Sequence, residues 1–593
     1  MSGQRHLSRF WVELKRRNVL RSLAVYAGSA FIILEAATII FPRWGFPDWS
    51  IDLVLYLLIF GALVNLVISW FFDITSTGVQ KTKPLEEEVT GPPALPASRS
   101  WKAATYISLV VIVALIVWNV VPGKGNGSNS RIDSLVILPF DNFTGDDQME
   151  TMIAGMHSML IGDIGRINGL RVISPTTSRI FKKGDKSIPE IASDLGVNAV
   201  IEPSVMCFGD TVCMQVKVMS TYPEEKMLWV ADYREPKSEV LNLYNRITQE
   251  LAEKVRIELT EGEKEILTEN RTVQPDALDA YLKAQYYWEL LNMDSIPKAL
   301  ANFQLAAELD PDWADPYAGL GLIWSMFRFF GALPASSTQP MVDQYLARGM
   351  ELNPNSSVVH FVEAIDAVWG KMEWEHGEAA FLKSIELNPN DALTRLYYAH
   401  LLMILRRNEE AIQMAEIGLR LDPMKPLVLG LYGVVMTGVK RYPEAIRACE
   451  KAVSIDPGFR FAHSNILFPA YEMGDYEKWL QAWMDKVVWS DGAKASVQAA
   501  FDKGGHLEAV REMFRLNEMY FPGDCFMSDG VKAERYMYLG EKEKALDHFE
   551  KVIENSPLDG PYLGTNLCFY DQLKDQPRYI ALLEKLNLPL PEE

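Results

Sequence analysis

The chain has 593 residues, of which 48% are hydrophobic, so it is long enough for several folded domains and too apolar for a disordered polymer. Its formal net charge is −20 at pH 7, and residues 1–130 hold 12 basic and 8 acidic side chains, which leaves −24 for the remainder. An acidic body repels phosphate backbones, which excludes nucleic acid as its expected partner.

Three long apolar runs stand in the amino-terminal part of the chain. Each is near the roughly 20 residues that a helix needs to cross the hydrocarbon core of a bilayer. The sequence therefore predicts a membrane anchor over residues 1–122, with transmembrane helices at about 22–41, 53–72 and 103–121. A proline-containing stretch at 74–101 without apolar periodicity is interpreted as a cytoplasmic linker. Membrane lipid is then an expected partner of these helices.

Basic residues around the runs predict an orientation. Six of them precede the first run, the connection 42–52 has only Arg43, and basic residues return in 73–102. Under the positive-inside rule the carboxy-terminal domains would face the periplasm, from a multi-pass protein of the bacterial inner membrane. Glu35 lies inside the first run, where it would be protonated or hydrogen-bonded, or alternatively serve a relay.

Residues 131–262 predict an α/β sandwich domain with a mixed sheet. Ser134–Phe140 is a continuous apolar run typical of a buried strand, and residues 147–167 have the apolar spacing of a helix. Further strands follow, and residues 238–259 form an amphipathic helix. The order β-α-β-α-β-β-β-α is that of a two-layer α/β fold.

Cys207 and Cys213 flank a predicted hairpin turn in this domain. A three-residue loop would place them opposite each other on paired strands, whereas a two-residue turn at Gly209-Asp210 would place them on opposite faces. The sequence leaves a cross-strand disulfide and two unpaired thiols as alternatives.

Periodicity is the strongest feature of residues 275–593. A pattern of small residues followed by a proline recurs, and successive prolines are spaced 43, 35, 34 and 34 residues apart. These prolines are Pro311, Pro354, Pro389, Pro423 and Pro457. A period of 34 is that of the tetratricopeptide repeat, a pair of helices, so about eight repeats are predicted.

A solenoid of this kind presents a groove built from the first helix of each repeat. Aromatic, methionine and polar residues there suit the capture of a protein partner. By register, nine residues are predicted to line the groove, or alternatively to pack between repeats: Tyr281, Trp288, Asp366, Trp369, His400, Met403, Phe461, Phe468 and Tyr471.

Several segments resemble a group of bacterial membrane-anchored tetratricopeptide-repeat proteins. FWVELKRRNVLRSLAVYAGSAFIILEAATIIF and FFDITSTGV resemble its membrane hairpin, and LVILPFDNFTGD and GLRVIS resemble its FlgO-like or TolB-amino-terminal-like domain. The resemblance implies the predicted fold class, which is multidomain: transmembrane helices, then an α/β sandwich domain, then an all-α tetratricopeptide-repeat solenoid. Members of this group often carry adenylate cyclase or winged-helix domains, which have no counterpart in this sequence.

The expected function is a membrane-tethered scaffold or adaptor that holds a protein partner or assembles an envelope complex. The alternative is a transmembrane sensor that passes an outside signal to a cytoplasmic partner. No catalytic, cofactor or metal residues are predicted, because phosphate-binding, nucleophile and zinc motifs are missing. Homo-oligomerisation is compatible with the repeats.

Overall fold

The computed structural model describes most of the chain after residue 131 and short stretches before it. The described ranges are 26–30, 33–34, 54–58, 60–62, 64, 72–75, 78–81, 132–146, 149–181, 186–221, 225–268, 272–290, 294–329, 333–520, 528–555 and 560–591. The chain divides into two compact units, Met1–Asn126 and Gly127–Glu593.

The amino-terminal unit contains helical stretches and a small hairpin. Residues 26–30 and 54–58 are helical, and the hydroxyl of Tyr26 donates a hydrogen bond to the carbonyl of Leu58 at 2.8 Å. Strands β1 (Phe72–Thr75) and β2 (Gly78–Lys81) pair antiparallel.

The prediction of a multi-pass membrane anchor is wrong for the part of the chain that the structure describes. Within the ranges given above, no helix combines the length and the apolar character that crossing a bilayer requires. The predicted span at 103–121 and most of the linker at 74–101 lie outside the described residues. An apolar run predicts that a segment avoids water, but it does not distinguish insertion into a bilayer from packing against other parts of a protein. The predictions of an inner-membrane localisation, of an orientation and of a lipid contact were derived from these spans. They are therefore unsupported as well.

The second unit begins with a mixed sheet. Its strands are β3 (Ser134–Ile137), β4 (Asp141–Asn142), β5 (Arg171–Val172), β6 (Ala199–Phe208), β7 (Thr211–Ser220) and β8 (Lys226–Pro236). The order is β5-β3-β6-β7-β8, with β4 also paired to β6. β3 is parallel to β5 and β6, and the last three strands form an antiparallel meander.

Cys207 and Cys213 form a disulfide across the β6–β7 hairpin. Phe208 pairs with Val212, so three residues lie between the paired positions, and Cys207 stands directly opposite Cys213. A register shift between Val205 and Cys207 precedes this arrangement. Of the two turns left open by the sequence, the structure has the three-residue loop.

Helices cover the sheet. They are α1 (Glu150–Ile164), α2 (Pro175–Ser178), α3 (Ile188–Leu195), α4 (Val240–Val255) and α5 (Glu261–Thr268). α1 and α4 bury apolar residues against one sheet face in a single core. α3 packs on the other face, with a capping box at its start and Gly196 at φ 58° after its end.

The rest of the unit is an array of helix pairs. Among the described residues seven pairs are formed, each with a first and a second helix. They are α6 (Pro275–Leu290) with α7 (Ile296–Leu309), α8 (Ala314–Phe329) with α9 (Ala335–Leu352), α10 (Ser357–Ile365) with α11 (Trp374–Leu387), α12 (Ala392–Ile404) with α13 (Asn408–Leu421), α14 (Pro426–Gly438) with α15 (Tyr442–Ile455), α16 (Arg460–Glu472) with α17 (Tyr476–Lys486), and α19 (Asp529–Tyr538) with α20 (Lys542–Asn555). α18 (Asp491–Tyr520) is broken at Gly504 and Gly505, and α10 continues into a π-helical turn, Asp366–Lys371.

The recurring small residues and prolines have the roles expected of a repeat. Each of the five prolines at 311, 354, 389, 423 and 457 lies two residues after the end of a second helix. Gly418 on α13 lies against the side chain of Leu396 on α12, so the pair approaches closely. Gly418 is buried in this contact, together with Ala411 and Ala415, so the small residues form the interior of the pair while the prolines lie outside it.

The α/β part and the repeats share extensive contacts. Gly155 of α1 lies directly against the backbone of Leu282 on α6. Asn390, between α11 and α12, accepts from the amide of Val172 at 2.9 Å and donates to the carbonyls of Gly165 and Leu170, each at 2.8 Å. This side chain therefore acts as a clamp between the sheet edge and the third and fourth pairs.

Candidate functional site

The candidate site is the face that the first helices of the central pairs share. α12 packs against α14, and α14 packs against α16, so their exposed faces form one continuous surface. We call this surface the first-helix face. It carries five of the nine predicted groove residues: His400 and Met403 on α12, and Phe461, Phe468 and Tyr471 on α16. Asp366 and Trp369 lie before it, in the π-helical turn after α10.

The chain's own carboxy-terminal segment lies on this face. Residues 560–573, which we call the C-terminal segment, form two 3₁₀ turns, Gly560–Gly564 and Asn566–Cys568, and the short helix α21 (Tyr570–Leu573). The first turn contacts α12 and the second contacts α14. The following helix, α22 (Pro577–Lys585), packs on α20. A stretch far away in the sequence therefore covers the predicted groove.

His400 is the polar centre of this contact. Its Nε2 lies 3.0 Å from the carbonyl oxygen of Leu431, which can only accept, so Nε2 carries the proton. Nδ1 is then an acceptor, and it receives the hydroxyl of Tyr562 at 3.0 Å. Burial lowers the pKa of His400 to about 4, against the opposing effect of the Leu431 hydrogen bond, so the ring is neutral at pH 7.

An aromatic cluster holds the other end of the segment. The ring of Phe569 lies 5.0 Å from that of Phe468 on α16 and 5.7 Å from that of Tyr538 on α19. Tyr471 stacks on Tyr538 at 3.8 Å and meets His506 edge to face. Phe468 is buried by this cluster and Tyr471 is half-buried, so neither presents a free ring to solvent.

Two basic residues contact the segment at its end. The Arg406 guanidinium lies over the ring of Tyr570, 4.2 Å from its centroid, and also hydrogen-bonds the Tyr570 hydroxyl. Lys440 forms an ion pair with Asp571, and both side chains are about half exposed. Asn566 donates to the carbonyl of Gly438 at 3.5 Å.

Asp366 is buried in a network of ion pairs and hydrogen bonds between two helix pairs. Its carboxylate accepts from Arg328 at 3.1 Å, from Gln339 at 2.9 Å and from Lys371 at 2.8 Å, and it is 1% exposed. Burial alone would raise its pKa, but the hydrogen bonds from Lys371 and Gln339 and the charge of Arg328 together hold the pKa below its usual value. The carboxylate joins the second and third pairs.

The remaining predicted groove residues divide between core and surface. Tyr281 is buried 4.5 Å from the ring of Trp313, Trp369 is buried among aromatic rings, and Met403 is buried against Gly438. Trp288 and Phe461 are only partly buried. Of the nine, these two offer the most accessible large rings, because the partly buried ring of Tyr471 is stacked on Tyr538.

Sequence reasoning missed the residues that contact the groove from outside the repeats. Tyr562, Phe569, Tyr570 and Asp571 stand where the repeat pattern has faded, and no spacing rule links them to α12 or α16. The one available signal was the concentration of aromatic residues in a stretch that begins with Gly560-Pro561. Within the described ranges no group of three or more His, Cys, Asp or Glu side chains could hold a metal ion.

Comparison with known proteins identifies the repeat type. A tetratricopeptide repeat family model matches residues 380–413, which run from α11 into α13. A Rhizobium meliloti (strain 1021) protein named adenylate cyclase 3 is 26% identical over 212 residues, 35% of this chain. The chain spans 36% of that relative's length.

Two solved structures are similar to part of the chain. A Pseudomonas aeruginosa PilF structure covers 38% of this chain and 96% of its own, with 17% identity and a TM-score of 0.28. PilW, a type IV pilus biogenesis factor, covers 34% of this chain and 94% of its own, with 17% identity and a TM-score of 0.25. At these scores neither likeness carries an argument about function.

Proposed function

We propose that the chain is a non-catalytic protein-binding scaffold, and that the first-helix face is its recognition surface. The supporting observation is that this face already holds a polypeptide, the C-terminal segment, through aromatic, hydrogen-bonding and charged contacts. The tetratricopeptide repeat at 380–413 favours the same function, because such repeats use this kind of face to bind other proteins. We assign residues 275–593 to this scaffold.

The α/β part would supply a rigid support. We attribute residues 131–262 to the FlgO-like or TolB-amino-terminal-like class on the segments quoted above. The clamp at Asn390 and the close approach at Gly155 favour a role in holding the first pairs in one arrangement. The adenylate cyclase in the name of the Rhizobium meliloti relative refers to that protein alone, and this chain spans 36% of its length.

Site-specific photo-crosslinking in cells that express the full chain tests the proposal. A photoreactive residue replaces Phe461, which is partly exposed on α16, and the matched control replaces Leu382, which is 49% exposed on the second helix α11. We expect a discrete protein adduct from position 461 and none from position 382. Equal adducts at both positions, or none at 461, would reject the first-helix face as the binding surface. An adduct with a second copy of the chain would identify self-association.

A further inference from the structure

Four turns that join a first helix to its second helix share one geometry, and each places one residue in the left-handed region. These residues are Arg406 at φ 60°, Lys440 at 63°, Gly474 at 74° and Gly540 at 75°. The hydrogen bonds are equivalent too: the residue after each donates to a carbonyl five residues back, as Arg407 does to Leu402 at 2.8 Å. A fifth turn, after the π-helical segment, differs: Met372 stands there at φ 58°, and the amide after it donates to a carbonyl six residues back. Glycine adopts this conformation without strain, whereas a side chain costs roughly 1 kcal/mol. A basic residue at two of the four turns therefore needs a reason outside the turn.

The C-terminal segment supplies that reason. Arg406 contacts Tyr570 through the ring face and the hydroxyl, and Lys440 pairs with Asp571. Both strained turns thus direct their charge at two consecutive residues of the segment. Cation–π and ion-pair contacts of this kind discriminate aromatic and acidic side chains from others.

Two further contacts recognise other side chains of the C-terminal segment. The neutral His400 accepts from the Tyr562 hydroxyl, which a phenylalanine could not supply. Phe569 inserts between Phe468 and Tyr538. The face therefore has separate subsites for a tyrosine, then, seven residues later, for Phe-Tyr-Asp.

We propose that the first-helix face recognises partner segments with this Phe-Tyr-Asp chemistry, and that residues 560–573 are a resident competitor which the partner displaces. The inference rests on the proposed function and adds the chemistry of the partner. A segment tethered in the same chain acts at an effective concentration on the order of millimolar, so it sets a threshold that the partner's affinity must exceed. The half-exposed Lys440–Asp571 pair is the part of the contact most open to exchange.

The test measures peptide binding to the purified full chain by fluorescence anisotropy. The probe is a labelled peptide of residues 560–573 with Cys568→Ser, and a scrambled peptide is the control. Phe569→Ala in the full chain should weaken the resident segment and tighten peptide binding about tenfold over the wild type. Asp571→Asn, which leaves no cavity, should tighten it in the same direction by about threefold.

A second pair of substitutions tests the receiving side. Arg406→Gly, added to Phe569→Ala, places glycine where Gly474 and Gly540 already stand, so the turn is kept while peptide affinity should fall about fivefold. Arg256→Gly replaces another left-handed basic residue, at φ 61° after α4, and should leave affinity unchanged.

Two results would overturn the inference: equal peptide affinity for the wild type, Phe569→Ala and Asp571→Asn, or equal binding of the scrambled peptide. These measurements need no cellular partner. Their failure therefore leaves the crosslinking result at Phe461 standing. Loss of the crosslink with peptide binding intact would reject the proposed function, and the subsites would then serve the C-terminal segment alone.

Discussion

The contact between α1 and α6 depends on a glycine. Gly155 is in the middle of α1, and a Cβ placed there would lie 2.8 Å from the carbonyl carbon of Leu282 and closer still to its oxygen. Backbone cannot rotate aside as a flexible side chain can, so Gly155→Ala must push the two helices apart. Gly162, in the same helix, has nothing within 4 Å of its Cβ position.

The two glycines form a matched pair for measuring this packing. Alanine gains about 1 kcal/mol of helix propensity over glycine at either position, so the difference between the two variants cancels that gain. What remains is the cost of overpacking, about 2 kcal/mol. If this cost of about 2 kcal/mol acts on the local opening of α1, the open state is roughly 30-fold more populated in Gly155→Ala than in Gly162→Ala.

Hydrogen exchange with mass spectrometry reads that population directly. Peptides from α1 and α6 should exchange faster in Gly155→Ala than in the wild type, and no faster than the wild type in Gly162→Ala. Far peptides, such as those of α20, should be alike in all three proteins. Equal protection of α1 in both variants would refute the idea that the helices pack backbone to backbone at Gly155.

Three further changes test other contacts. Because the pKa of His400 is about 4 in the folded chain and 6.5 in the unfolded one, its contribution to stability is full above pH 6.5 and is lost as the pH falls toward 4. By pH 5 this loss is about 2 kcal/mol. Between pH 7 and pH 5 the free energy of unfolding in urea should therefore fall by about 2 kcal/mol less in His400→Gln than in the wild type. Identical pH profiles of the two proteins would contradict this prediction. Asp366→Asn leaves Arg328 and Lys371 without their buried counter-charge and should lower the free energy of unfolding by about 3 kcal/mol. A change smaller than the error of the urea titration would show that the Asp366 carboxylate does not stabilise these two cations. Asn390→Ala removes three hydrogen bonds between the sheet edge and the repeats, so amides of Val172 and its neighbours should lose exchange protection while those of α20 keep theirs.

The repeats could be predicted from sequence because their signals are local. The prolines two residues beyond five of the second helices, and small residues such as Ala411 and Gly418 at helix contacts, follow from the packing of helices that are within about 40 residues of each other in the chain. The turn residues around Gly209 are also a local signal, and they predict a hairpin with either a two-residue or a three-residue loop. The pairing of Phe208 with Val212 in the structure decides for the three-residue loop.

Two features lay beyond that kind of reasoning. The apolar runs near residues 22–41 and 53–72 led to spans that the described residues do not contain, because hydropathy measures avoidance of water and not the means of burial. The cover over His400 comes from Tyr562, 162 residues further along. No periodicity connects two such positions, so register placed His400 on the groove face without revealing its occupant.

If the first-helix face is a recognition surface, a protein partner must bind it in competition with the C-terminal segment. The most direct measurement titrates the partner crosslinked at Phe461, as a purified complex formed without crosslinker, with the peptide of residues 560–573. We expect the peptide to release the partner and the scrambled peptide to leave it bound. A partner that stays bound at saturating peptide would bind another surface, and the first-helix face would not be its recognition site.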